Sequence, residues 1–456
     1  MKKRSSILLL ALIFMISMTS MAMAQEAGSS VNRLDFTKAV LETLHIKVLE
    51  VTKGSFEDVQ SPQDIPYVET AYQNKIISGY GTHFKPEETI TKEQAITVLL
   101  KAMGEEMMVK KLSEEKIKTL LAAANQDSVS AWAKPYVAYA LSKDFVDSSI
   151  DPKALLTKED TEALLKKAQS YYETYLLREG LTAAEMLQTA SEKFEEFDTY
   201  KYRGAMDLET KVSIPEQGEQ SVKMTMTQEG VFQKPLKVYV KSTAEIKDME
   251  IEGAQTDSEV YMDENQMYIR VPGEEKWMTM DFNPILQEIQ KLTGQNQNLG
   301  NAVMSKEQME MLGMFATYGP DVVKDGKYYY TIQSAFDSDS FKKIFQEVFD
   351  KLMDYFIALA EQNGETPSQA EQEMAKQQLM EIINQMDLQI DYIIYVDKET
   401  KVFGDMKVIQ MMDMNMGEIK SHTHSTGSFE YYDFNGEVSF PEIKPEDVMD
   451  MQSLVQ

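Results

Sequence analysis

The amino-acid sequence predicts an α+β protein: all-α helical repeats in the N-terminal third, then a large antiparallel β-sheet with inserted helices. Three observations predict it. A segment containing Pro-Tyr-Val and Thr-Lys-Glu occurs twice before residue 170. Beyond residue 200, apolar and polar residues alternate over many short runs, the period of strands with one buried and one wet face. Between those runs lie apolar stripes at helical spacing, such as Phe341, Ile344, Phe345, Val348, Phe349 and Leu352.

The chain opens on Met1-Lys2-Lys3-Arg4, continues with an apolar run from Ile7 to Ile16, and reaches Ala22-Met23-Ala24 before Gln25. A basic start, a short apolar core and an A-x-A site predict a secretory signal peptide over residues 1–24. The apolar run is short for a hydrocarbon core about 30 Å thick. There is no cysteine, which excludes a cysteine-linked lipid anchor and any disulfide. No later segment is long and apolar enough to span a bilayer, so no integral membrane segment is expected after cleavage. The formal charge is −28, from 46 Lys and Arg against 74 Asp and Glu. That balance argues against nucleic acid and anionic membranes as partners, because the phosphate term is repulsive. The expected location is extracellular, at the cell wall.

The repeats occupy residues 25–178. The first full copy runs from Phe56-Glu57-Asp58-Val59 through Pro66-Tyr67-Val68 and Gly79 to Thr91-Lys92-Glu93. The second runs through Pro135-Tyr136-Val137 to Thr157-Lys158-Glu159. A partial copy opens at Asn32-Arg33-Leu34-Asp35-Phe36. Thr91 with Gln94, and Thr157 with Asp160, predict capping boxes at the starts of helices. Ile96, Leu99, Leu100 and Met103 then follow at helical spacing.

With Phe84-Lys85-Pro86 and Ile90-Thr91-Lys92-Glu93, this layout resembles the S-layer homology family. The resemblance implies a helical repeat bundle that binds secondary cell-wall polysaccharide. It also implies a central role for the cation after Thr, here Arg33, Lys92 and Lys158, with Gly79 and Glu93 at family positions. Lys lacks the planar bidentate reach of Arg, so two of the three sites depart from the pattern. Trp132, just before a helix of the last copy, is placed to stack on sugar.

Thr182 and Glu185 form a further capping box and open a second domain, expected over residues 181–445 with a tail at 446–456. Alternation predicts strands over 223–227, 237–242, 259–263, 267–271, 276–280, 328–332, 390–396, 402–416 and 422–434, with a hairpin at Glu264-Asn265. The apolar stripe from Phe341 to Leu359 and a helix ending near Met386 form a helical hairpin expected on the sheet's concave face. One long helix, a meander of long strands and inserted helices together resemble the LolA/LppX-like lipoprotein-carrier fold. The local likenesses are Ala190-Ser191-Glu192-Lys193, Tyr395-Val396-Asp397-Lys398 and Phe429-Glu430-Tyr431-Tyr432. The resemblance implies an antiparallel β half-barrel holding a lipid-like or other apolar ligand, or a lipidated partner. The 32 methionines fit such a groove, because the thioether adapts to varied apolar shapes. Met224, Met226, Met262, Met278, Met280, Met412 and Met414 are the groove candidates, and ordinary core filling is the competing reading.

His422 and His424 share one strand face at metal-ligand spacing, but four histidines and no cysteine supply no clear third ligand. The pair therefore reads as a solvated face, and no metal or cofactor is expected. There is no nucleophile elbow, phosphate loop, H-E-x-x-H or nucleotide fingerprint, so no catalytic residue is expected. The reading is a wall-tethered binding protein. Its rivals are a structural envelope protein without a small ligand and a wall-active hydrolase.

Overall fold

The structure, a computed structural model, describes residues 30–123, 128–214, 218–247, 255–263, 266–281, 314–335, 342, 353, 368–416 and 419–450. The chain divides into two compact units, residues 1–177 and 178–456.

In the first unit, α1 (Arg33–Thr43), α2 (Ile65–Gln73), α3 (Lys92–Ala102), α4 (Glu106–Lys110), α5 (Glu114–Ala123), α6 (Lys134–Ser142) and α7 (Lys158–Tyr171) follow one another. Polar side chains at or near the N-terminus hold the starts of three of them. Asn32 accepts the Asp35 amide at 2.7 Å, Gln94 accepts the Thr91 amide at 3.0 Å, and Thr157 accepts the Asp160 amide at 3.1 Å. Immediately before these three caps stand Val31, Ile90 and Leu156, and their backbones close a ring. Val31 N–H donates to Leu156 (2.8 Å), Leu156 N–H to Ile90 (2.9 Å), and Ile90 N–H to Val31 (3.0 Å). All three residues are buried, so each buried amide finds its acceptor in the next copy. Around the ring, Phe36, Val40, Ile96, Leu99, Leu100, Val137, Leu164 and Leu165 build one core, and Leu41, Phe56, Val68 and Phe84 anchor a second.

Two helices, α4 and α5, lie between the full copies where no element was expected. The last helix, α7, ends at Tyr171 and passes into a π-turn at Tyr172–Leu176. Gly180 has φ +80° in a tight turn that Arg178 and Leu181 close with reciprocal backbone bonds.

The second unit opens with α8 (Ala183–Phe194), capped by Thr182 and Glu185. The strands are β1 (Thr199–Ile214), β2 (Gly218–Gln233), β3 (Lys237–Ile246), β4 (Gln255–Asp263), β5 (Gln266–Arg270), β6 (Trp277–Asp281), β7 (Phe315–Tyr318), β8 (Val322–Lys324), β9 (Lys327–Ala335), β10 (Met386–Asp397), β11 (Phe403–Met416), β12 (Ile419–Tyr432) and β13 (Val448–Asp450), with α9 (Gln369–Gln385) before β10. They form one large sheet in the order β13-β6-β5-β4-β3-β2-β1-β12-β11-β10-β9-β7, with β8 on β9. Neighbours are antiparallel except β13, which runs parallel to β6.

The sheet is open among the described residues. Two outcomes differ from expectation. β1, β7 and β8 are strands where none was expected. The sheet also extends past residue 445, because Val448–Asp450 pairs with β6. The turn at Glu264-Asn265 and the stripe from Phe341 to Leu359 lie outside the described residues, apart from Lys342 and Met353.

Candidate binding sites

The three predicted cations each occupy the first residue of a helix: Arg33 in α1, Lys92 in α3 and Lys158 in α7. Their surroundings differ. Arg33 is buried, its Nε donating to the Phe84 carbonyl at 3.0 Å and a terminal nitrogen to the Ser78 carbonyl at 3.3 Å. Its guanidinium lies 4.9 Å from the Phe84 ring centre and 5.1 Å from that of Tyr80. Burial lowers its pKa, against the pull of Tyr80, Glu88 and Asp58. Lys92 is tied to Asp160 at 2.9 Å. Lys158 is exposed, with no ion pair among the described residues.

Glu93 and Gly79 face inward. Glu93 is buried and accepts the Ser130 amide (3.0 Å), the Ser130 hydroxyl (2.8 Å) and the Lys153 ammonium (2.7 Å). Burial alone would raise its pKa; the Lys153 and Ser130 bonds outweigh that and lower it. These bonds fix the start of the 3-10 turn Ala131–Ala133, which holds Trp132 half in solvent. At Gly79 an added Cβ would lie 2.1 Å from the Phe56 ring. Both residues position the surface without forming it.

Sequence reasoning missed Asp58, Tyr80 and Lys85. Asp58 accepts the Phe84 and Lys85 amides at 2.8 and 2.7 Å, which fixes the loop after Gly79. Tyr80 is half exposed, with Arg33 on its ring and the Lys85 ammonium 4.7 Å from its centre. Lys85 also pairs with Glu88 at 2.9 Å, and an exposed aromatic beside such a cation can stack on a sugar. The aspartate of the repeated segment was the available signal; Tyr80 carried none.

In the second unit, register decides which side chains share a face. Met206 opposes Met226, and Leu208 opposes Met224. Met226 opposes Ala244, Val238 opposes Met262, Met262 opposes Met267, and Met267 opposes Met280. On the other side Thr210 opposes Thr423, Thr423 opposes Met412, and Met414 opposes Ser421. Met278 opposes Ile269. Because directly opposed residues share a side, all seven groove candidates lie on one face of the sheet. They fall into separate patches on it. Met262, Met278 and Met280 belong to β4 and β6, level with Tyr200 and Tyr202. Met412 and Met414 belong to β11, ten residues further along β1. With strands ~4.8 Å apart and ~3.3 Å per residue, those patches are roughly 40 Å from each other, with Met224 and Met226 between them.

One end of the face is covered. Phe194 of α8 stacks on Phe403 at 4.2 Å, and Met186, Leu187 and Ala190 pack with Tyr200, Phe232, Ile332, Ile394 and Val396. Farther along, Met206, Met224, Met226, Met412 and Met414 are half-buried, and α9 packs on β10 and β11. On the opposite face the His422 Nδ1–H donates to the Asp413 carboxylate at 2.7 Å, and His424 is exposed.

An S-layer homology domain matches residues 55–96, which implies a cell-surface protein associated with the wall. The chain belongs to the family of unknown function DUF6612, whose model matches residues 182–452. Exoglucanase XynX of Acetivibrio thermocellus is 30% identical over 146 residues, 31% of this chain and 13% of that enzyme. An amylopullulanase of Thermoanaerobacterium thermosulfurigenes is 30% identical over 145 residues, 31% of this chain and 8% of that enzyme. The chain thus spans a small part of either relative. The C-terminal domain is similar in structure to LppX- and LolA-like lipoprotein carriers. LprF of Mycobacterium bovis matches with TM-score 0.26 and 10% identity, covering 57% of this chain and 96% of LprF. Lipoprotein LppX of Mycobacterium tuberculosis matches with TM-score 0.25 and 8% identity, covering 57% and 98%. Scores of this size bear on no function. Among the described residues no helix is long and apolar enough to cross a membrane.

Proposed function

We propose that the protein is held on secondary cell-wall polysaccharide by its N-terminal repeats and binds a lipid-like molecule on the methionine face of its sheet. It acts by binding and performs no catalysis. The observation that carries the anchor is the backbone ring through Val31, Ile90 and Leu156, which supports three copies acting as one bundle within a single chain. Each copy also begins a helix with a cation, where the helix dipole opposes positive charge by about 0.3–1 kcal/mol. Asp160 offsets this at Lys92, and the Phe84 and Ser78 carbonyls hold Arg33. Lys158, Trp132 and Tyr80 are left to meet a ligand, with Lys85 beside Tyr80 but paired to Glu88 at 2.9 Å, while Gly79 and Glu93 position the loops that present them. For the second domain, the methionines gathered on one face support an apolar ligand rather than a structural sheet that only fills its own core. The hydrolase reading draws only on the names of two enzymes that share a short stretch with this chain.

Full-length protein is to be sedimented with purified walls, intact or stripped of their secondary polysaccharide. Retention on intact walls alone is expected, and Tyr80→Ala combined with Lys85→Ala should weaken it. Equal retention on both preparations would overturn the polysaccharide reading. For the sheet, the neutral dye Nile red should bind and fluoresce, and purified protein should yield lipid on solvent extraction. Neither result would leave the structural envelope protein as the better reading.

A further inference from the structure

The face that carries the methionines bears no charged side chain on any described strand, and from this we infer that its ligand is electrically neutral. The class it fits is an acyl lipid with ester or hydroxyl groups, as in a diacylglycerol, rather than a fatty-acid anion or a phospholipid. The inference rests on the apolar-ligand reading above.

The alternation is complete along β1. Lys201, Arg203, Asp207, Glu209 and Lys211 point to one side, whereas Tyr200 to Ile214, taken every second residue, hold none. Register carries the same division from β7 to β13. Charged residues make up 26% of the chain, so a face merely wetted by solvent would hold its share, as the opposite face does. The polar groups that remain are neutral hydroxyls and amides. Thr210 and Thr423 share a hydrogen bond at 3.0 Å, Gln228 donates to Ser242 at 3.2 Å, and Ser425 is buried near them on β12. Such groups can serve an ester carbonyl or a free hydroxyl. They offer an ionised phosphate or carboxylate no cation, and an unpaired charge is strongly disfavoured beside apolar walls.

The test uses full-length protein and phosphatidylcholine vesicles carrying radiolabelled diacylglycerol or phosphatidic acid with the same two acyl chains. After re-isolation, diacylglycerol should be retained over phosphatidic acid by about tenfold or more, the factor that about 1.4 kcal/mol supplies. Equal or greater retention of phosphatidic acid would overturn the neutral class while leaving an apolar site in place. If Nile red binds but neither lipid is retained, this class is also overturned. If neither lipid nor Nile red binds, the apolar-ligand reading falls and takes this inference with it. Ser242→Lys adds an ammonium to the half-buried face and should shift uptake toward phosphatidic acid. A Ser242→Lys protein that folds as wild type, judged by circular dichroism, and keeps wild-type selectivity would place the lipid elsewhere and overturn the assignment.

Discussion

At Gly79 the Phe56 ring occupies the space a Cβ would need, 2.1 Å away, and the His83 carbonyl lies 2.9 Å away. Phe56 is wedged between Tyr72 and Phe84, so it cannot move off without opening the second core. Gly79→Ala should therefore cost about 1–3 kcal/mol, the usual cost of overpacking. Chemical denaturation of the full-length protein should show the loss in the transition of the first unit. An unchanged midpoint would mean that the loop relaxes freely. Glu93 makes a different kind of contribution. Glu93→Ala removes a buried acceptor of three bonds and should cost about 1.5–3 kcal/mol. If it also weakens wall binding while Lys92→Ala does not, then Glu93 acts through Trp132 and Ser130. The sequence marked Gly79, Glu93 and the three cations by their spacing alone. It could not distinguish the buried Arg33 and the paired Lys92 from the exposed Lys158, because Phe84 and Ser78 are distant in the chain from Arg33, and Asp160 from Lys92.

At the level of elements, helices were legible where caps and stripes coincided, as at Thr91, Thr157 and Thr182. The short α4 and α5 lie between copies and have no counterpart in the repeat, so comparison of copies passed over them. Strands were legible from alternation, and that alternation proves to be a separation of charged from uncharged positions. β1 was missed although it alternates from Tyr200 to Ile214; Gly204 and the dense charges on its other side obscure a run in which only one residue in two is apolar. Strand order was not legible. β1 pairs with β12 across the whole domain, so Arg203 meets Glu430 and Thr210 meets Thr423. That pairing separates methionines that look equivalent in the sequence. It also makes α8 the element that covers one end of the face, through Phe194 stacked on Phe403 and edge-on to Tyr200 and Tyr431. Phe194→Ala should cost about 3–5 kcal/mol, in the transition of the second unit only. A matching loss in the first unit would contradict independent cores.

For the whole molecule, acid should separate the two units. Among the described residues, Asp58, Asp64, Glu69, Glu93 and Asp160 of the first unit all have pKa values below their ordinary ones. At Asp64 the Lys38 bond is the largest cause. At the other four burial opposes the shift, and bonds from amides, hydroxyls or lysines outweigh it. The folded unit therefore binds fewer protons than the unfolded chain as pH falls past the ordinary values of 3.8 and 4.5. Stability from these groups is fully present above that range and is lost as pH drops through their folded values. Glu105 works in the opposite direction. Burial raises its pKa, although Tyr139 donates to it and Lys143 lies near. Its contribution is present below 4.5 and is lost as pH rises through its folded value. The first unit should thus be most stable in mildly acid solution, with one slope on each side. Among its described residues the second unit has fewer lowered carboxylates: Glu179, Glu259, Glu371 and Asp397. Its midpoint should shift less in acid. Urea midpoints measured across the acid range would reveal the acid limb, and Glu105→Gln should flatten only the alkaline one. If Glu105→Gln leaves the alkaline limb unchanged, the raised carboxyl is already neutralised by Lys143 or by solvent. If the acid limb is absent, the lysine and amide bonds to Asp58, Glu69, Glu93 and Asp160 persist after protonation and do not set the stability of the repeats.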